Sequence, residues 1–175
     1  MRKPFISGNW KMYGTRKSVV EYIDGFDVPQ EAVDREDIVI CVPACLLQAW
    51  SDYAPGKKPY LQWGAQDVHW EKEGAFTGNI SVPMLLDFGV KNCVVGHSER
   101  RAYHGETDEQ INKKGNALLD AGIVPIICVG ETLEQREAGD KEKVIGTQID
   151  GSVLASKGRA DFSKVVIAYE PVWAI

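Results

Sequence analysis

Long apolar runs are missing from this 175-residue chain. The longest, Ile123 to Val129, falls far short of the roughly 20 residues that cross a bilayer, so no membrane segment is predicted. The amino end, MRKPFISGNWKM, is charged and lacks the apolar stretch of a signal peptide, which predicts a cytoplasmic protein. Paired cysteines are missing too. The four cysteines form no CxxC pair, and Cys41, Cys93 and Cys128 lie in β-like runs with Cys45 close behind, so buried thiols are expected rather than disulfides or zinc ligands. Histidine is scarce, and His69, His97 and His104 do not have zinc-site spacing. There is no excess of positive charge: 20 Lys and Arg face 25 Asp and Glu, a net charge of −5, and no basic stripe runs along the chain. A nucleic-acid partner is therefore not expected, and any anionic ligand has to be held by a local device. Neither GxGxxG nor GxxxxGK[ST] follows the first strand-like run, and neither a metal nor an organic cofactor is predicted.

What is present is material for one folded domain over residues 1–175. The chain is 44% hydrophobic, with five Trp and six Tyr, enough to bury a core. Six β-like runs recur: Phe5 to Ser7, Ile38 to Val42, Tyr60 to Trp63, Cys93 to Val95, Ile123 to Val129, and Val165 to Tyr169. They are continuous rather than alternating, as parallel strands covered on both faces should be. Helical stripes lie between them, formed by Val19, Val20, Ile23 and Phe26, by Leu46, Leu47, Trp50, Tyr53 and Ala54, by Ile111, Leu118 and Leu119, and by Val144, Ile145, Ile149 and Val153. Thr107 and Gln110 can form a capping box for the third of these. After the third strand comes a polar, glycine-rich excursion from Trp70 to Asn79, then a short helix around Met84 to Phe88. Such a loop in a compact domain usually carries function or an interface. Strict β-α alternation predicts an α/β fold with a parallel sheet.

A closed (β/α) barrel is favoured over an open doubly wound sheet by where the polar residues sit. Barrel chemistry gathers at the C-terminal ends of strands. Here those ends carry Asn9 and Lys11, Gln66 and Asp67, His97, Ser98 and Glu99, and Glu170. Lys11 could hold an oxyanion or phosphate as a point charge, although an ordinary solvated lysine fits the local sequence equally. His97 opens a strand-to-helix turn, where the helix dipole disfavours an imidazolium and leaves a neutral proton donor. Glu170 is kept extended by Pro171, among Tyr169, Val172 and Trp173, in partly apolar surroundings that suit a carboxylate acting as a base. Together these two groups could move a proton between adjacent carbons of a carbonyl compound. A rival reading makes Ser98 the nucleophile of a G-x-S-x-G elbow. It fails because Arg100 replaces the second glycine and no histidine follows His104.

Six stretches carry a resemblance: Gly8 to Met12, Gly64 to Val68, Gly74 to Gly78, Val95 to Arg101, Cys128 to Glu131 and Ala168 to Ile175. In this order they resemble the triosephosphate isomerase family, a (β/α)8 TIM barrel. The resemblance implies interconversion of dihydroxyacetone phosphate and D-glyceraldehyde 3-phosphate through an enediol, in glycolysis and gluconeogenesis. It implies that Glu170 is the catalytic base and His97 polarises the carbonyl. Lys11 and Asn9 would bind substrate and stabilise the oxyanion, with Glu99 and Ser98 in support. It further implies a homodimer in which the loop around Thr77 reaches a second identical chain. The six strand starts recur every 32 residues on average, so an eight-unit barrel would need roughly 250. About six units are encoded; the family's lid loop and its strands seven and eight, whose loops hold the phosphate, do not follow Ile175. The alternative expectation is thus a truncated, non-catalytic barrel that acts only as an oligomerising scaffold through its exposed edge strands.

Overall fold

The computed structural model describes residues 3–154 and 162–175. Six strands form one parallel sheet in chain order: β1 (Phe5–Asn9), β2 (Asp37–Val42), β3 (Leu61–Ala65), β4 (Asn92–Val95), β5 (Val124–Val129) and β6 (Val166–Tyr169). The helices among the described residues are α1 (Arg16–Gly25), α2 (Gln30–Arg35), α3 (Leu47–Lys57), α4 (Val82–Asp87), α5 (Ser98–His104), α6 (Asp108–Asp120), α7 (Leu133–Glu137) and α8 (Lys141–Ile149). Each predicted strand is present within two residues of its expected ends. Helices α2 and α7 had left no apolar stripe to read, since neither buries a residue. The last predicted helix breaks earlier than its stripe implied. Val153 falls in a π-helical turn, Asp150–Leu154, that follows α8.

Capping explains where several helices start. Thr15 with Ser18, Thr107 with Gln110, and Thr132 with Gln135 each form a reciprocal box that satisfies backbone donors at the starts of α1, α6 and α7. Val19 and Ile23 on α1 and Ile111 and Leu118 on α6 are fully buried, because their spacing puts them on one helix face.

Alternation along the strands divides the core into two layers. Ile38, Ile40 and Val42, with Leu61, Ala65, Cys93, Val95 and Ile127, pack against the helices around Trp50. Val39, Cys41, Val94, Ile126 and Cys128 form a smaller inner cluster with Phe5, Val166 and Ala168. A sheet with helices outside and a side-chain layer inside is the layering of a (β/α) barrel. Among the described residues β1 and β6 do not pair with each other, so this is an open, partial barrel of six strands, the first five of them each followed by helix.

Three cysteines are buried, as expected, and Cys45 is not. It sits in the short 3-10 turn Ala44–Leu46, where Leu46 takes the inward position. No helix among the described residues is long and apolar enough to cross a membrane.

Candidate active site

Parallel pairing brings all the C-terminal strand ends to one rim. β1 delivers Asn9 and, one turn on, Lys11. Trp10 anchors this turn in the aromatic cluster, edge-on to Tyr22 at 5.2 Å and to Trp50 at 5.8 Å. The turn places Lys11 at a φ of 53°, a backbone region costly for residues with a side chain. Several hydrogen bonds hold it there. The Lys11 backbone N–H donates to Asn9 Oδ1 at 2.9 Å, and Gln66 Nε2 donates to Asn9 Oδ1, Lys11 O and Cys41 O at 3.0, 3.0 and 3.2 Å. Non-glycine strain is tolerated where the surroundings over-determine it, and that pattern concentrates at functional sites.

β4 ends at Gly96, whose φ of 70° turns the chain into α5 and whose absent Cβ would lie 2.8 Å from Ile111. His97 follows as the cap of α5. Its Nδ1 accepts the Glu99 backbone N–H at 3.2 Å, which leaves Nε2 as the nitrogen free to carry a proton toward a ligand. That Nε2 lies 3.3 Å from Glu170 Oε1. The imidazole is buried, with 6% of its side chain exposed, which restricts its exchange with solvent. Glu99 links the two sides of the rim. Its Oε1 is 2.7 Å from Lys11 Nζ and its Oε2 is 3.4 Å from His97 Nδ1. The Lys11 hydrogen bond holds the Glu99 carboxyl below the usual carboxylate range, so the pair stays charged.

Glu170 leaves β6 with its N–H donating to Val129 O at 2.8 Å. Its Oε2 is buried without a hydrogen-bond partner, an unsatisfied acceptor. Burial, then the Glu170 carboxylate, pushes the Cys128 thiol up, so it stays protonated beside the carboxylate. A cleft of about 770 Å³ is lined by Asn9, Lys11, His97 and Glu99. Glu170 instead lines a neighbouring cavity of about 280 Å³ together with Ser98 and Gly130. The expected residues thus converge on His97 from both sides, with the carboxylate behind the ring rather than in the cleft.

Sequence reasoning passed over Glu131. It is fully buried, and its Oε1 accepts from Arg136 at 3.0 Å, Tyr169 at 3.0 Å and Trp173 at 3.2 Å. Burial by itself would raise its pKa, but donors led by Trp173 outweigh that and hold it at about 2. The signal was available, since Glu131 lies two residues past the end of β5, close to where Glu170 lies past β6. Also missed was a buried ionic group beneath the cleft. Lys114 pairs with Asp67 at 2.6 Å and with Glu106, while Arg100 reaches Asp67 at 2.8 Å.

Thr77 is exposed on the loop after β3. The loop is ordered internally: His69 stacks on Trp70 and Phe76 at 4.2 and 4.1 Å, and its N–H donates to Ile80 O at 2.7 Å.

Comparison with known proteins places the chain in a family. Residues 4–175 match the family model described as triosephosphate isomerase. The triosephosphate isomerase of Citrifermentans bemidjiense is 46% identical over the whole chain, which spans 68% of that relative, and the Synechocystis protein is 45% identical, with 70% of it spanned. The crystal structure of triosephosphate isomerase from Bartonella henselae superposes with a TM-score of 0.85 at 38% identity, over 98% of this chain and 69% of the other. With its parallel strand order and its match over residues 4–175 in agreement, the chain belongs to the triosephosphate isomerase family.

Proposed function

We propose that this chain carries the proton-transfer centre of a triosephosphate isomerase, interconverting dihydroxyacetone phosphate and D-glyceraldehyde 3-phosphate. A glutamate base paired with a neutral histidine is suited to moving a proton between carbons next to a carbonyl. Glu170 removes a proton from the carbon next to the carbonyl, and His97 donates its Nε2 proton to the carbonyl oxygen, which gives an enediol. Return of a proton from Glu170 to the adjacent carbon, while the other enediol hydroxyl gives its proton back to His97 Nε2, completes the exchange, so no atom is lost or gained. Lys11 and Asn9 hold the developing oxyanion, and Glu99 keeps the Lys11 ammonium oriented. Ser98 supports the site from the first position of α5. The observation that carries this reading is the 3.3 Å approach of His97 Nε2 to Glu170 Oε1 across two strand ends. Substrate entry has to replace that contact, with Glu170 turning toward the cleft.

The same reading makes the chain a cytoplasmic protein that pairs with a second copy of itself. Met12, Tyr13 and Tyr103 line the cleft with 93%, 76% and 80% of their surface exposed, an apolar rim able to receive the ordered Thr77 loop of a partner. Among the described residues the outer edges of β1 and β6 have no pairing strand, which favours a second reading, a non-catalytic scaffold that associates through those edges.

A coupled dehydrogenase assay on chain of verified mass separates the two. Turnover that falls by roughly 100-fold or more in Glu170→Asp supports the isomerase. Turnover indifferent to that change removes Glu170 from the base role, and no turnover leaves the scaffold.

A further inference from the structure

Beyond β5 and β6, the two chains stay in register for one more step. Glu170 N–H donates to Val129 O at 2.8 Å and Val172 N–H donates to Glu131 O at 3.0 Å. Gly130 lies between those two acceptors, and its own backbone groups are taken by one side chain. Gly130 N–H donates to Gln148 Oε1 at 2.8 Å, and Gln148 Nε2 donates to Gly130 O at 3.0 Å. A primary amide that offers an acceptor and a donor side by side imitates the edge of a neighbouring strand. Gly130 also has no room for a side chain, since a Cβ there would lie 1.8 Å from Glu170 O. The peptide carrying Glu170 therefore rests on the Gly130 backbone, with Gln148 pinning that backbone from α8.

The helix that bears Gln148 is itself tied to the site. Next after α8, in the π-helical turn, Ser152 donates to Asp108 Oδ1 at 2.8 Å and accepts from Arg101 Nη2 at 3.3 Å. Arg101 also donates to Gly96 O at 2.9 Å and Cys128 O at 3.3 Å, the carbonyls just before His97 and Val129. π-Helical turns are rare and occur frequently at functional sites.

We infer that Gln148 is a positioning residue for Glu170, acting through a two-point amide clamp on Gly130. This inference rests on the reading of Glu170 as the base, while its physical content, that Gln148 orders the Glu170 backbone, does not need turnover. Gln148→Leu removes both hydrogen bonds; Gln148→Glu keeps the acceptor for Gly130 N–H and replaces the donor with an oxygen.

Amide hydrogen exchange on the folded chain is the direct test. In Gln148→Leu both the Gly130 and Glu170 amides should exchange roughly tenfold faster, with amides in β2 unchanged. Gln148→Glu should loosen the Glu170 amide as well, and it carries the test where the leucine variant does not fold. Loss of protection at Gly130 alone, with Glu170 as protected as before, overturns the inference. In the coupled assay kcat should fall roughly 10- to 100-fold with KM within about threefold, because a displaced base weakens the transition state more than substrate binding. Unchanged kcat per folded molecule also overturns it, since that is what a merely stabilising side chain would give. A parent chain without turnover sinks the reading of Glu170 as base and leaves the exchange experiment to decide the clamp.

Discussion

The middle of the sheet and its two edges are built from similar residues and end up in different environments. In β4 every residue is buried, and in β2 and β5 all but the first; in β1 and β6 none is. Ile127 on β5 is 2% exposed, whereas Ile6 on β1 and Ile167 on β6 are 52% and 43% exposed. The candidate site straddles this divide. His97 leaves a central strand, while Asn9, Lys11 and Glu170 leave the edges. Polar residues from the central strands tie the edges down: Gln66, just past β3, binds the Asn9–Lys11 turn, and Glu131, just past β5, binds Tyr169 and Trp173. Where apolar burial does not hold a functional turn, hydrogen bonds from the interior do.

The contrast predicts unequal costs for the same substitution. Ile127→Ala should lower stability by about 2–5 kcal/mol, because it empties a space closed on all sides. Ile167→Ala should cost no more than about 0.5 kcal/mol in the same denaturant titration. Equal losses would mean that β6 is covered in solution. A smaller effect tests the tether on the other edge. Gln66→Leu leaves Asn9 Oδ1 and two backbone carbonyls without this donor, which should cost about 1–3 kcal/mol and release Lys11 from its positive φ. An unchanged melting temperature, with the Lys11 amide shift unmoved in NMR, would show that the turn holds itself.

Acid provides the third and smallest test. The Glu131 and Glu99 carboxyls are held below their ordinary 4.5, Glu131 at about 2. A group with a lowered folded-state pKa favours the folded state while it is ionised. Its contribution is complete above 4.5 and disappears as the pH falls toward the folded value. Thermal melts between pH 6 and pH 3 should therefore drop more steeply in the parent than in Glu131→Gln, and slightly more steeply than in Glu99→Gln. Parallel curves would count against the Glu131 tether of the β6 edge.

Much of this architecture was legible beforehand. Continuous apolar runs marked all six strands, as parallel strands covered on both faces allow, although only the central strands are so covered and β1 and β6 are not. Thr107 and Gln110 marked the start of α6, because a capping box is a purely local device. The rim residues were legible as well, from polar side chains placed just after apolar runs. Helices α2 and α7 were not, since a five- or six-residue helix that buries nothing leaves no stripe. Nor was the exposure of Cys45 or the placing of Glu170 outside the main cleft, both of which depend on which way a short turn faces.

By itself the sequence determined the β-α alternation, the parallel sheet and the set of ionisable groups at the strand ends, because periodicity, caps and strand-end position are local properties of the chain. Only the tertiary structure decided which of those groups meet. Glu99 reaches Lys11 across 88 positions, Gln66 reaches Asn9 across 57, and Trp173 reaches Glu131 across 42. The reason is physical. A hydrogen bond is decided within a few tenths of an ångström, and over such separations that distance is set by how the strands pair and how the helices pack, not by spacing along the chain.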